Sequence, residues 1–269
     1  MELKSCVVCQ SETNEALYPS FQIVQCECQH VYYTCALNDD EIRELYQKNY
    51  FSGHEYADYV ADKPAIQRNF KARLAKVRSH VPDGGKLLEI GSAYGFFLEL
   101  AREYYDVSGF EICRDGVTHA TEKLGLDVRC EDFLLASIEE NTFDAICMYD
   151  CIEHLPRPDF FIEKISRLLK PGGKVFITTG DISALVPRIR GKSWRMIHPP
   201  THIHYFSQNS LGRLLKQAKI TPVEVKYPAV WRSLNQTLTS VLKTRTPFKA
   251  FPYYFPLNTF DICEMIGEK

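Results

Sequence analysis

The chain has 269 residues, of which 25% are charged and 45% hydrophobic. This composition is typical of a folded globular protein and excludes the disordered and fibrous classes. The length suits one core of about 150 to 200 residues with a small additional module. Because no apolar run approaches the roughly 20 residues that span a bilayer, and the start MELKSCVVCQ lacks the pattern of a secretory signal, we expect a cytoplasmic location and no membrane partner.

The formal net charge of −2 conceals an uneven distribution of charged residues. Residues 1–60 are rich in acids, whereas the segment from Arg188 to Lys249 carries many Lys and Arg residues and a single acid, Glu224. Such a segment presents positive potential wherever its side chains reach the surface, which favours an anionic partner. A solvated basic surface without a ligand would give the same pattern.

The N-terminal residues are rich in cysteine. Two thiolates separated by two residues can bind one tetrahedral zinc ion, and a second pair must close the site. A closed site with four ligands would be structural, and reduced cysteines without metal are the alternative interpretation. The expected zinc ligands are Cys6, Cys9, Cys26 and Cys28, with His30 or Cys35 able to replace one of the second pair.

A connector at 39–80 follows. Asp39 and Asp40 are potential N-caps of a helix over 41–46, and apolar residues at helical spacing predict a second helix over 64–81.

From Lys86 onward, predicted strands and helices alternate. Strands are expected at 86–90, 107–111, 127–130, 143–149, 174–179 and 222–230, and helices at 96–104, 114–124, 160–169 and 210–218. The sequence Lys-Pro-Gly-Gly at 170–173 predicts the turn that ends the third of these helices. The alternation predicts an α/β fold with a doubly wound, mostly parallel sheet.

The chain therefore divides into four parts. These are a zinc module at 1–38, the helical connector at 39–80, an α/β domain at 81–235, and a C-terminal extension at 236–269 without a clear pattern. Within the α/β domain, a Pro- and His-rich insertion at 181–209 is expected to form a lid.

The loop after the first strand is the first candidate ligand site. Gly91 and Gly95 lie where a strand passes into a helix, and glycine lets the backbone approach a nucleotide-like ligand closely. About 20 residues later Glu111 ends the second strand, where a carboxylate can accept hydrogen bonds from ribose hydroxyls. Asp132 and Phe133 follow the third strand, where an acid could meet the amino group of adenine and a ring could flank the base. Each acid alone could be a solvated loop residue, but together they indicate a nucleoside site.

Five segments together resemble the class I S-adenosylmethionine-dependent methyltransferases. They are 87–95 (LLEIGSAYG), 110–111 (FE), 131–133 (EDF), 143–146 (FDAI) with 153–155 (EHL), and 168–173 (LLKPGG). The resemblance covers about residues 80 to 230 and implies a Rossmann-like fold, S-adenosylmethionine as cofactor and methyl transfer. A dinucleotide dehydrogenase would instead carry a Gly-x-Gly-x-x-Gly loop, which this chain lacks. The implied cofactor-binding residues are Glu89, Gly91, Ser92, Ala93, Gly95, Glu111, Asp132, Phe133 and Asp150, with Ala93 standing where the family often has glycine.

The cysteine-rich N-terminus resembles the zinc-binding domain of some bacterial methyltransferases of sugar and polysaccharide pathways. It is similar, though less so, to the zinc module of ribosomal RNA guanine methyltransferases.

Two histidines are the candidate catalytic residues. His154 follows the fourth strand of the α/β domain and could act as a base for a hydroxyl acceptor. His202 lies in the lid, whose His-x-His-Tyr-Phe segment resembles that of small-molecule methyltransferases. Either histidine could instead be structural. Asp150 and Glu153 together with these histidines could also hold a divalent metal, as similar clusters do in some quinone and RNA-end methyltransferases.

These interpretations predict a methyltransferase that acts on a small acceptor, anionic or carbohydrate-like, by in-line transfer. Two alternatives stay open. A methyltransferase of the ribosomal RNA type would bind nucleic acid through the basic C-terminal third, with an affinity that falls as salt rises. A non-catalytic protein would keep the fold for binding cofactor and partners.

Overall fold

The computed structural model describes residues 5–35, 41, 60, 62–233 and 254–269. The expected helix over 41–46 lies outside the described residues apart from Glu41. Among the described helices, none combines the length and apolar composition required to cross a bilayer.

The N-terminal residues form a small antiparallel sheet of strands β1 (Asn14–Tyr18), β2 (Ile23–Cys26) and β3 (Val31–Tyr33). Helix α1 (Lys63–His80) then leads into the core and buries Ala65, Leu74 and Val77. Its second residue is Pro64, which suits the first turn because the N–H that proline lacks has no partner there in any case. The helix matches the one expected over 64–81.

The remaining elements alternate as the sequence predicts as far as residue 180. In chain order they are β4 (Lys86–Ile90), α2 (Phe96–Ala101), β5 (Asp106–Phe110), α3 (Arg114–Thr118), β6 (Val128–Arg129), β7 (Phe143–Tyr149), α4 (Pro158–Leu168), β8 (Leu169–Gly180), α5 (Leu185–Arg190), β9 (His204–Tyr205), α6 (Gln208–Gln217), β10 (Thr221–Lys226), β11 (Val230–Ser233), β12 (Tyr254–Leu257) and β13 (Ile262–Glu268).

Seven of these strands form the central sheet, in the order β10-β13-β8-β7-β4-β5-β6. Strands β4 to β8 pair in parallel, whereas β13 runs antiparallel to both of its neighbours. The expected α/β fold with a mostly parallel sheet is confirmed.

Strand β7 shows how the sheet is buried on both faces. Ile146 and Met148 belong to the apolar cluster on one face, whereas Ala145 and Cys147 belong to the cluster on the other. Successive side chains of a strand point to opposite faces, so a strand covered on both sides is apolar throughout. This explains why the apolar run from Ala145 to Tyr149 was predictable as a strand.

The C-terminal part of the sheet differs from the sequence prediction. The strand expected over 222–230 ends at Lys226, before Pro228, and residues from Val230 onward pair with β12 in a separate two-stranded ribbon. Strand β13 comes from the segment that we assigned to a C-terminal extension, yet it lies between β10 and β8 inside the sheet.

The turn expected at 170–173 is present as an irregularity within β8. The partner of Phe143 is Leu169, but the partner of Ala145 is Lys174, so the intervening residues bulge out of the ladder.

The lid and the N-terminal module share one sheet. Strand β9 pairs antiparallel with β3, with Val31 opposite Tyr205, and this gives a four-stranded sheet in the order β1-β2-β3-β9. Trp194 of the lid packs in one apolar cluster with Ile23 of the module. The two parts that the sequence separates are therefore packed together as one unit.

Candidate functional site

The glycine loop follows β4 in a backbone conformation that glycine favours. Gly91 has φ +75° and Gly95 has φ +76°. A Cβ on Gly91 would lie 2.7 Å from Sγ of Cys151, so the loop also passes too close to that residue for any side chain. Ala93 adopts φ +47°, a left-handed value that is uncommon for residues other than glycine. Ala93 occupies this conformation at some cost, which accounts for the glycine frequent in similar sequences.

Glu111 holds this loop against the end of β5. Its carboxylate accepts hydrogen bonds from the backbone N–H groups of Ala93 at 2.7 Å, Ile112 at 2.8 Å and Cys113 at 2.8 Å. Burial raises the pKa of Glu111, and these three bonds oppose the rise. The side chain of Glu111 therefore fixes the conformation of the loop.

Four carboxylates converge beside the loop. Burial raises the pKa of the Cys151 thiol, and the nearby charges of four acids raise it further; these are Glu153, Glu111, Glu89 and Asp150. The acids come from the ends of three neighbouring strands, which a parallel sheet brings to one edge. Burial raises the pKa of Glu89, Glu111 and Glu153, and a ligand that carries positive charge would favour their ionised forms.

Several buried polar atoms at this edge have no hydrogen-bond partner among the residues that the structure describes. Buried polar groups are normally paired, so such atoms mark positions where a ligand can bind. At this edge they are Oε2 of Glu89, Oγ of Ser92, the hydroxyl of Tyr149 and Oε2 of Glu153. A cofactor with an amino acid part and a ribose offers partners for such groups, so the residues present fit S-adenosylmethionine.

Arg73 is a site residue that the sequence analysis missed. Its guanidinium donates a hydrogen bond to Asp150 at 2.7 Å and lies 4.6 Å from the ring centroid of Tyr149. Burial raises the pKa of Glu89 well above its ordinary value, and the charge of Arg73 opposes that rise. A signal was available, because Arg73 lies four residues before the buried Val77 and therefore on the same side of α1.

Asp132 and Phe133 follow β6, and the structure gives them different positions. Asp132 is half-buried, and its Oδ1 accepts a hydrogen bond from the N–H of Leu134 at 2.8 Å. The ring of Phe133 is 3% exposed and lies 5.4 Å from the rings of both Phe110 and Phe161. The side chain of Phe133 thus packs in the core beneath the site, and its contact with an adenine ring stays a prediction.

The lid brings His202 to the loop that follows β7. The ring of His154 lies 4.6 Å from that of His202, and its Nδ1 donates to the carbonyl oxygen of Thr201 at 2.8 Å. This bond leaves Nε2 as the unprotonated nitrogen of a neutral ring. Burial lowers the pKa of His154 to about 4, so the ring is neutral at neutral pH.

Three residues of the candidate metal cluster come together. Glu153, His154 and His202 each offer one ligand atom, and these atoms lie within 4.8 Å of one another. Asp150, the fourth residue considered, instead forms the ion pair with Arg73. The structure therefore separates a three-residue group that could bind a divalent cation from an acid that faces the cofactor loop.

The four expected zinc ligands also come together. Sγ of Cys6 lies 3.6 Å from that of Cys28, and Sγ of Cys9 lies 3.3 Å from that of Cys26. A tetrahedral zinc site with bonds of about 2.3 Å has sulfur atoms about 3.8 Å apart. The alternatives are not part of this cluster, since Cys35 is exposed and Nε2 of His30 faces His204.

Residues 55–225 match the model of a family described as "Methyltransferase domain". A ubiquinone biosynthesis O-methyltransferase of Nitrosococcus oceani is 33% identical over 135 residues, covering 47% of this chain and 57% of that protein. The enzyme of the same name from Chromobacterium violaceum is 28% identical over 181 residues, covering 61% of this chain and 77% of that protein. The mitochondrial ubiquinone biosynthesis O-methyltransferase of Dictyostelium discoideum is 24% identical over 170 residues, covering 56% of this chain and 52% of that protein. The chain thus spans little more than half of two of these relatives.

Solved structures show the same fold. The 1,6-didemethyltoxoflavin-N1-methyltransferase of Burkholderia thailandensis, solved with its acceptor and S-adenosylhomocysteine, aligns with a TM-score of 0.57 over 95% of this chain and 98% of that chain, at 16% identity. A SAM-dependent methyltransferase from Archaeoglobus fulgidus aligns with a TM-score of 0.57 over 78% of this chain and 99% of that chain, at 17% identity. The chain belongs to the methyltransferase domain family, within the class I S-adenosylmethionine-dependent methyltransferases.

Proposed function

We propose that this protein transfers the methyl group of S-adenosylmethionine to a hydroxyl of a small acceptor held beside His154 and His202. The contact between these two rings, beside the acids of the cofactor loop, is the observation that carries the proposal. When bound, the cofactor supplies a methyl group activated on a sulfonium sulfur. A hydroxyl acceptor is supported by the relatives, which are named O-methyltransferases.

The residues around the glycine loop divide the work of binding the cofactor. Glu111 would accept hydrogen bonds from the ribose hydroxyls, and Asp132 would face the adenine. The methionine part carries an ammonium and a carboxylate. Glu89 and Asp150 suit the ammonium because they are anionic when ionised, and Arg73 suits the carboxylate.

The histidines would handle the proton of the acceptor hydroxyl. Nε2 of His154 is unprotonated and can accept this proton while the oxygen attacks the methyl carbon and the carbon–sulfur bond breaks. Holding the hydroxyl in line with that bond is the larger contribution of the protein. Enclosure of His202 in the lid, where it is 5% exposed, supports a site from which water is excluded.

A bound divalent cation is a second possibility for the same site. The observation that favours it is the mutual approach of ligand atoms from Glu153, His154 and His202 within 4.8 Å. A cation there would be bound by Nε2 of His154 and would lower the pKa of a coordinated hydroxyl, so it would activate the acceptor in place of a histidine base.

An anionic group on the acceptor is a further part of the proposal, and the cation that supports it is Arg195, which also forms an ion pair with Asp261 at 3.1 Å. Burial lowers the pKa of His202, and the neighbouring charges of His154, His198 and Arg195 lower it further, so Arg195 lies within electrostatic reach of the acceptor side.

We also propose that Cys6, Cys9, Cys26 and Cys28 bind a structural zinc ion, supported by the spacing of their sulfur atoms.

Methyl transfer can be tested with isotope-labelled S-adenosylmethionine and two probes. Protocatechuate offers adjacent ring hydroxyls and a carboxylate, and UDP-glucose offers sugar hydroxyls and phosphates. We expect a labelled methyl ether with one of them, and we expect His154→Ala to reduce the rate about a hundredfold. His80→Ala is the matched control, since His80 pairs with Glu224 outside the site.

Two results would contradict the proposal: failure of the protein to bind S-adenosylhomocysteine in calorimetry, or equal rates for the His154 variant and its control. Adding Mg²⁺ or Mn²⁺ to the assay distinguishes the base from the metal site. A rate increase that Glu153→Gln abolishes supports the cation, and a rate independent of added metal supports the histidine alone.

A further inference from the structure

Residues 201–205, here called the lid strand, are hydrogen-bonded on both edges. On the inner edge, Nδ1 of His154 donates to the carbonyl of Thr201 at 2.8 Å, and the N–H of Ile203 donates to the carbonyl of Glu153 at 2.8 Å. On the outer edge, the N–H of Tyr33 in the N-terminal module donates to the carbonyl of Ile203 at 2.8 Å. The backbone of Ile203 therefore links the N-terminal module directly to the loop that contains Glu153 and His154.

A second link runs through two buried histidines. Nε2 of His30 lies 3.1 Å from Nδ1 of His204, and Nε2 of His204 lies 3.4 Å from the carbonyl oxygen of Pro156. A carbonyl can only accept, so His204 carries its proton on Nε2. Nδ1 of His204 then accepts a hydrogen bond from the N–H that His30 carries at Nε2. Two successive hydrogen bonds thus run from the module through the lid strand to the loop that contains Glu153 and His154.

Packing reinforces both links. Ile203 belongs to the same apolar cluster as Cys6, Cys26 and Tyr32, so the lid strand packs directly on the cysteine cluster. His30 is fully buried, and its ring also stacks on those of Tyr32 and His204. Interiors this closely packed transmit small displacements, because no free volume absorbs them.

We infer that the N-terminal module is a working part of the acceptor site and that His30 is its positioning residue, acting through His204. The module holds the lid strand, and the lid strand holds His202 against His154. The glycine loop is anchored separately by Glu111. Loss of the link should therefore loosen the acceptor side and leave cofactor binding unchanged. The inference rests on the acceptor site proposed above.

Hydrogen exchange of the full-length protein tests this directly. His30→Leu removes the N–H that donates to His204 and replaces the ring with an apolar side chain of similar size. His30→Gln instead retains an N–H that can reach His204. Gln217→Leu is the matched control, because its Nε2 binds the carbonyl of Val8 at 2.7 Å and so holds the module to α6 without involving the lid strand. We expect His30→Leu to speed exchange of the amides of 201–206 about tenfold, with partial rescue in His30→Gln and no change in Gln217→Leu.

In the same variants, we would also measure amide hydrogen exchange in β4 and β7 and the affinity for S-adenosylhomocysteine. We expect both to match the wild type within about twofold, because the link ends at the backbone of Glu153 and Pro156, whereas Glu111 anchors the glycine loop. Unchanged exchange at 201–206 in His30→Leu would overturn the inference, as would an equal acceleration in β4 and β7, which would show general destabilisation. Failure of the wild type to bind S-adenosylhomocysteine strikes the proposed function alone, since the exchange experiment needs no ligand.

Discussion

Arg73 and Asp150 form an ion pair of 2.7 Å that joins α1 to the carboxyl end of β7. The arginine side chain is 13% exposed and the aspartate 44%, so the cation is enclosed while its partner faces the site. The helix that precedes the α/β core thus supplies a cation to the edge of the sheet where the four acids lie. The ion pair places positive charge among carboxylates that would otherwise only repel one another.

The role of Arg73 can be tested with two ligands. Arg73→Met should weaken binding of S-adenosylhomocysteine about tenfold, because the charge-assisted hydrogen bond proposed between Arg73 and the carboxylate of the ligand is lost. Binding of methylthioadenosine, which lacks that carboxylate, should change much less. Calorimetry measures both, with Arg78→Met as control, since Arg78 lies on the exposed side of the same helix. An equal loss for the two ligands would show that Arg73 does not contact the carboxylate.

Replacement of Glu111 should affect both the ligand and the loop. Glu111→Ala removes the acceptor of three backbone N–H groups and the proposed ribose contact. We expect the Kd for S-adenosylhomocysteine to rise at least about tenfold and the unfolding temperature to fall. Glu122→Gln, an exposed acid on the neighbouring helical turn, should leave both unchanged. Wild-type affinity in the alanine variant would refute the ribose assignment.

The zinc site predicts different behaviour for two cysteines of the N-terminal module. Cys6→Ser should lower the zinc content of the purified protein and its unfolding temperature, because a tetrahedral structural site contributes directly to folding. Cys35→Ser should change neither, since Cys35 is exposed and outside the cluster. Elemental analysis and thermal unfolding measure the two effects. Equal zinc content in the two variants would be inconsistent with the site.

Glu224 predicts a pH dependence of stability. Hydrogen bonds from Lys226 and Lys76 lower the pKa of this carboxyl from 4.5 to about 2. Because the folded pKa is depressed, the stabilisation is fully present above pH 4.5 and is lost as the pH falls toward 2. Glu224→Gln should therefore cost about 1 kcal/mol at pH 6 and progressively less below pH 4. Denaturant unfolding at several pH values measures the difference, and Glu139→Gln, an exposed acid, should show none. A difference that stays constant with pH would exclude this ion-pair network.

Local patterns in the sequence were sufficient for the strands that place the cofactor loop. The bounds of β4 and β7 agree with those expected because buried parallel strands are short apolar runs with clear ends. The four zinc-ligand candidates were recognisable from spacing, but the choice between Cys28, His30 and Cys35 needed the fold. Only the pairing of β3 with β9 shows that His30 faces His204.

Features that depend on distant contacts were not predictable from local patterns. Strand β13 has a suitable composition, but its place in the sheet depends on pairing with residues about 80 positions earlier in the chain, and periodicity does not reveal such pairing. Phe133 has the motif of a cofactor residue, yet the rings of Phe110 and Phe161 bury it. Helical periodicity places Arg73 on the buried side of α1, but its ion pair with Asp150 depends on contacts with a strand more than 70 residues later in the chain.

The position of β13 also determines the order in which the sheet can form during synthesis. Strand β8 ends at Gly180 and β10 at Lys226, whereas β13 begins at Ile262. A nascent chain on the ribosome therefore has both neighbours before the strand that joins them. Until β13 emerges, β8 presents an unpaired edge, and such edges invite pairing with other chains. The growing polypeptide is therefore open to such pairing until β13 is available.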